Sequence, residues 1–164
     1  MIGNLIKQKM QGYLKQAGLY GDLRRIFMHA TFYMRESTLS QKHDIPSHAE
    51  VTKQVTVTAD KFATVLSPVI TSRMASKVAQ EMGAIFESAL RHTDPRNINT
   101  MQVAETFYIV SGISCEETSI DLKRYLGLMS TNSIPAFTEA LTIIEAFADK
   151  ITKGVIKLHP NYFS

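Results

Sequence analysis

Apolar residues recur every three to four positions along almost the whole chain, the period of an amphipathic helix. In the first segment Ile2, Leu5, Ile6, Met10, Tyr13, Leu14 and Ala17 fall on one face, while Lys7, Lys9, Gln11, Lys15 and Gln16 lean to the other. The stretch "AGLYGD" (17–22) supplies two glycines and an aspartate, which predicts a helix stop and a fresh N-cap at Asp22. A second helix is expected over about 22–36, with Leu23, Ile26, Phe27, Ala30, Tyr33 and Met34 inward. Residues 37–47 are polar and contain Pro46, so they read as a loop.

Ser47 and Glu50 have the spacing of a capping box. From there helical periodicity runs through Val51, Val55, Ala59, Phe62, Leu66, Ile70, Met74, Val78, Met82, Ile85 and Ala89. Pro68 interrupts it, and a one-residue junction does not reverse a chain, so the pattern predicts one long, Pro-kinked element over 48–92. Its weak point is "VTVT" at 55–58, whose β-branched residues also suit an extended piece. "HTDPRNIN" marks a break before a helix over about 100–111, which Gly112 ends. Ser114 opens a helix to about 129, "STNSIP" closes it, and a last helix spans about 134–157. Residues 158–164 form a short tail. The expected fold is therefore all-α: about six helices around one core, a single domain over 1–164.

Composition adds limits. At 45% hydrophobic and 20% charged residues the chain is globular, and one cysteine excludes an internal disulfide and fits a reducing compartment. No run of about 18 apolar residues predicts a membrane span, and lysines break the N-terminal apolar run of a secretory signal, so a cytoplasmic location is expected. The net charge of +3 is unevenly placed: basic residues dominate 1–35 and 150–164, acidic ones the middle. Such ends either fold against the acidic middle or meet an anionic surface, nucleic acid or membrane. The residues for that contact are Lys7, Lys9, Lys15, Arg24, Arg25, Lys150, Lys153 and Lys157.

Candidate chemistry is sparse. Cys115 falls at the first position of a helix, where open N–H groups favour a thiolate. Glu116, Glu117 and Asp121 oppose that effect, and no histidine lies within fifteen residues, so an inert cysteine is expected. His43, Asp44 and His48 have metal-ligand side chains but sit in a loop around Pro46, without the spacing of a zinc site. Phosphate loops, nucleophile elbows and Glu-x-x-His pairs are absent from the sequence. No enzyme, metal or cofactor is expected.

The strongest packing signal is "RMASKVAQEMGAIFESAL" (73–90). Ala75, Ala79 and Gly83 recur every fourth residue, flanked by Met82 and Phe86. A small-residue stripe lets another helix approach closely, either inside the bundle or from a second copy. Together with the aromatic tail (Tyr162, Phe163), it suggests a non-enzymatic protein–protein interaction module, an adaptor, chaperone-like or regulatory protein that binds itself and another protein. Two alternatives remain: a binder of nucleic acid or anionic membrane through the basic ends, and a small-ligand domain or enzyme with a Met-lined pocket.

Overall fold

The computed structural model describes residues 1–42, 48–91 and 93–164, with the backbone alone for 40–42 and 48. Seven helices and no strand occur among the described residues: α1 (Ile2–Lys42), α2 (His48–Leu66), α3 (Ser72–Leu90), α4 (Met101–Ser111), α5 (Cys115–Ser130), α6 (Ile134–Leu158) and the single turn α7 (Pro160–Phe163). The all-α reading of the sequence holds. Two of its junctions do not.

The predicted stop at 17–22 is absent, and α1 runs unbroken for 41 residues. Gly18 and Gly21 each cost a helix interior about 1 kcal/mol. Around them Leu19, Leu23, Ile26 and Phe27 are all buried. Burying one such side chain is worth roughly 1.5–3 kcal/mol, so packing outweighs propensity here. Asp22 does not cap a helix; it pairs with Arg25 at 3.3 Å within the same turn. The loop expected from residue 37 is also displaced: α1 stays helical through Lys42, with Met34 and Ser37 buried against the bundle and Thr38 donating to the Met34 carbonyl at 3.0 Å.

The second correction concerns the long kinked element over 48–92. It is a hairpin of two packed helices, α2 and α3, joined by residues 67–71. Pro68 has no N–H to continue α2, and the amides of Val69 and Ile70 both turn back onto the Leu66 carbonyl. Thr71 then caps α3, accepting from the Met74 amide at 3.2 Å. Periodicity hid the turn because Val69 and Ile70 are apolar and pack on the core themselves. The ambiguous 55–58 stretch is helical, with Val55 and Thr58 buried and the Thr58 hydroxyl donating to Gln54 O. Ser47, His43, Asp44 and the His48 side chain lie outside the described residues, and with them the Ser47–Glu50 capping box and the His43/Asp44/His48 cluster.

The remaining boundaries follow the sequence. Gly112 ends α4 with φ of 75°, a left-handed conformation that costs other residues about 1–2 kcal/mol. Ser114 caps α5 and Ser133 caps α6, each accepting an amide three residues on. One core joins the helices. Phe27 of α1 meets Phe62 of α2 at 5.1 Å and Phe147 of α6 at 5.6 Å, edge to face, and Phe107 of α4 adds a third edge on Phe147. Tyr125 of α5 reaches Thr31 of α1, hydroxyl to hydroxyl, at 2.5 Å inside this core.

Helices α1 and α6 lie antiparallel. Phe137, near the start of α6, meets Phe32 edge to face at 5.6 Å, while Asp149 lies opposite Arg24. Beyond Leu158 the chain leaves this track at Pro160, and α7 folds onto α1 at Gly12. A Cβ at Gly12 would sit 3.2 Å from the carbonyl carbon of Phe163 and closer still to its oxygen, so the tail rests on a gap only glycine leaves. Phe163 is buried there, and Lys15 lies over the Tyr162 ring at 4.5 Å.

Candidate functional site

The sequence-derived interaction face is occupied inside the chain. Ala75, Ala79, Met82 and Phe86 are buried in the core, and a Cβ at Gly83 would touch the Ala59 side chain of α2 at 3.5 Å. The small-residue stripe is what lets α3 lie close against α2. It offers no seam to a second copy. The aromatic tail is likewise covered from within.

The basic residues divide into two groups. Arg24 makes a two-pronged contact with Asp149 at 2.6 and 2.7 Å, and Arg25 pairs with Asp22. Lys150 reaches Asp121 at 2.6 Å and Glu117 at 2.8 Å, tying α6 to the start of α5. Lys15 donates to the Tyr162 carbonyl at 3.2 Å. These four serve the fold. Lys7, Lys9, Lys153 and Lys157 are exposed and make no hydrogen bond or ion pair among the described residues.

Cys115 sits at the first turn of α5 as its spacing implies, half-buried, with its helix capped by Ser114. Ser114 and Glu117 have capping-box spacing, but the Glu117 side chain binds Lys150. No group of three or more His, Cys, Asp or Glu side chains with metal-binding placement occurs among the described residues.

Of several recesses on the bundle, two lie against core residues of interest. One, of about 230 Å³, is floored by Met34, Leu90, Ile98, Leu126 and Met129. Most polar groups at its rim are already engaged: Thr38 donates to Met34 O, Ser130 donates to Gly127 O, and Asp94 holds Arg96, which leaves the Thr93 hydroxyl. The other is a cleft beside Glu81, of about 120 Å³, reached by Ser88, Asn99 and Gln102. The Glu81 carboxylate is buried, accepts the Thr106 hydroxyl at 2.9 Å with either oxygen, and has its pKa pushed up chiefly by burial. In the sequence Glu81 is one of several carboxylates spread over the helices, with no motif to single it out. Its register with Val78, Met82 and Ile85 on the inward face was the available signal.

The feature without a partner is the first three turns of α1. Gly12 is the first buried position of the helix; residues 1–11 are all exposed and project past the end of the bundle by roughly 16 Å, at 1.5 Å per residue. This arm continues the track along which α6 packs higher up, beyond the point where α6 ends. Ile2, Leu5, Ile6, Met10, Tyr13 and Leu14 remain 55–76% exposed. At roughly 60–120 Å² of apolar surface for each such side chain in full, they present about 250–450 Å², the size of the largest patch on a typical monomer, which is often functional. At 100° per residue they span about half the helix circumference. Asn4, Lys7, Gln8, Gln11 and Lys15 lie on the other half, and Lys9 falls inside the apolar arc, between Leu5 and Ile2. No Asp or Glu occurs before Asp22. Among the described residues no helix is long and apolar enough to cross a membrane. No protein-family model, curated protein or solved structure matches the chain.

Proposed function

We propose that this chain is a binding protein and that its projecting N-terminal arm is the part that binds a large partner surface. The observation that carries the reading is the unpartnered apolar face of residues 2–14 on a helix whose remaining length is packed. A helix of eleven residues is marginal in isolation, but here it propagates from a packed stem and needs no nucleus of its own. It therefore offers a preformed surface at little ordering cost. The small-residue stripe and the aromatic tail no longer support self-association through α3 or through the C-terminus. The Met-lined recess ranks below the arm because its rim holds few free polar groups to orient a ligand.

The test compares the full chain with a chain that begins at Gly12. The shortened chain should melt within about 2 °C of the full one, since residues 1–11 bury nothing. The full chain should enhance the fluorescence of anilinonaphthalene sulfonate, a probe of exposed apolar surface, and the shortened chain should lose most of that enhancement. A large drop in melting temperature on shortening, or equal dye binding by both chains, would show that the arm packs on its own bundle and would overturn the reading.

A further inference from the structure

The width and charge of the arm identify the surface it fits. A single partner helix covers a stripe of about 100°, whereas the apolar residues of the arm span about half the circumference, the footprint of a helix lying on a flat apolar medium. The charge is of one sign. Residues 1–21 hold Lys7, Lys9 and Lys15 and no carboxylate, so pairing two arms would bring lysines together with nothing to neutralise them. Lys153 and Lys157, both unpaired, lie on the last turns of α6, at the same end of the bundle. Resting on the reading of the arm as the binding element, we propose that residues 2–14 lie in the plane of an anionic phospholipid surface. Ile2, Leu5, Ile6, Met10, Tyr13 and Leu14 enter the interfacial layer. Lys7, at one border of that face, and Lys9, inside it between Leu5 and Ile2, extend their stems away from the apolar layer to lipid phosphates and carboxylates. The helix lies on the membrane and does not cross it, in keeping with its length and its lysines. Lys15 keeps its contact with the tail, and the α7 dock at Gly12 fixes the angle at which the arm leaves the bundle.

Cosedimentation with large unilamellar vesicles tests this, using phosphatidylcholine alone and phosphatidylcholine with 30% phosphatidylserine. The full chain should bind the anionic vesicles and bind neutral ones far more weakly, and 0.5 M NaCl should weaken the anionic binding. Lys7→Gln with Lys9→Gln should reduce partitioning about 25-fold, about fivefold for each lysine near the surface. Ile6→Ser with Met10→Ser, both at exposed positions that leave the core intact, should also release the protein. Failure of the full chain to sediment with anionic vesicles overturns the proposal, as does equal binding by the lysine variant or by the chain starting at Gly12. Light scattering on the same samples separates this failure from that of the arm itself. An arm-dependent dimer without vesicle binding makes a second copy the occupant and leaves the arm as the binding element. Arm-independent behaviour in dye binding, scattering and vesicles removes both readings.

Discussion

Gly154 is the position where the backbone of α6 comes closest to α4, and replacing it with alanine sets two effects of known size against each other. A Cβ there would lie 2.9 Å from both the carbonyl carbon and the Cβ of Ser111, and closer still to the Ser111 carbonyl oxygen. These are backbone atoms of a packed helix, so no side chain can swing aside. The two helices would have to part by more than 1 Å for the Ser111 oxygen to reach the 3.4–4 Å of ordinary contact. A gap of that size forfeits a quarter to a half of each dispersion contact across the seam, where Phe107 and Val110 face Phe147, Ile151 and Val155. Overpacking of this kind costs about 3 kcal/mol or somewhat more. Against it stands the helix preference of alanine over glycine, about 1 kcal/mol. The net expectation for Gly154→Ala is a loss of about 2–3 kcal/mol, a melting temperature lower by roughly 5–10 °C for a chain of this size. Gly18→Ala and Gly21→Ala provide the opposite sign, because a Cβ at either meets nothing within 4 Å and both lie inside α1. Each should gain about 0.5–1 kcal/mol and melt about 2 °C higher. Thermal and urea unfolding followed by circular dichroism read all three. A Gly154→Ala protein as stable as the parent would refute the close α4–α6 approach. Loss of stability at Gly18 or Gly21 would refute the unbroken α1.

In the buried hydroxyl pair the Thr31 hydrogen is used on the Phe27 carbonyl at 2.7 Å, so Tyr125 is the donor to Thr31. Tyr125→Phe should therefore cost about 1 kcal/mol in urea unfolding, with the core volume kept. Burial raises the Tyr125 phenol above its ordinary value, so in an alkaline absorbance titration one of the six tyrosines should ionise only as the protein unfolds. Full titration of all six in the folded protein would contradict its burial. At Glu81, burial raises the carboxyl above its ordinary 4.5, so the folded chain holds a proton that the unfolded chain has lost. Stability from this group is thus fully present below the ordinary carboxylate range and falls as pH rises toward the raised value. Glu81→Gln should remove that fall, and the difference between variant and parent should grow from pH 4 upward; parallel stability profiles would show that Glu81 is solvated.

The fold class was legible because the helical period is nearly continuous, and several ends were legible because their chemistry is local. Gly112 in its left-handed turn, Ser114 and Ser133 as caps, and Pro160 at the end of α6 each act on the two or three residues beside them. The two misread junctions were decided at long range. Gly18 and Gly21 look like a stop in any window of twenty residues, and only the core on either side of them keeps α1 whole. Pro68 looks like a kink because Val69 and Ile70 preserve the apolar rhythm through a turn that in fact reverses the chain. Length was the unused clue: an unbroken 48–92 helix would run about 65 Å, too long to bury its apolar face in one domain of this size.

The arm was hidden by the first of those errors. Cut at residue 17, its apolar face reads as one more side of the core, because a short amphipathic helix in a globular chain normally packs. Read as the start of a 41-residue helix, it spans about 60 Å beside an α6 of 25 residues that spans about 38 Å, and an overhang is unavoidable. The same geometry sorts the lysines, which sequence alone placed together. Arg24, Lys15 and Lys150 stand where a carboxylate, a carbonyl or an aromatic ring of another helix meets them and tie α1, α5, α6 and α7 together, while Arg25 pairs with Asp22 inside α1. Lys7 and Lys9 lie beyond the last such partner. The charge that a net value of +3 dilutes over the chain is therefore concentrated, unpaired, on the same three turns that expose the apolar face. Charge and apolar area coincide at one end of one helix, and for that reason the vesicle experiment and the lysine substitutions read the same surface.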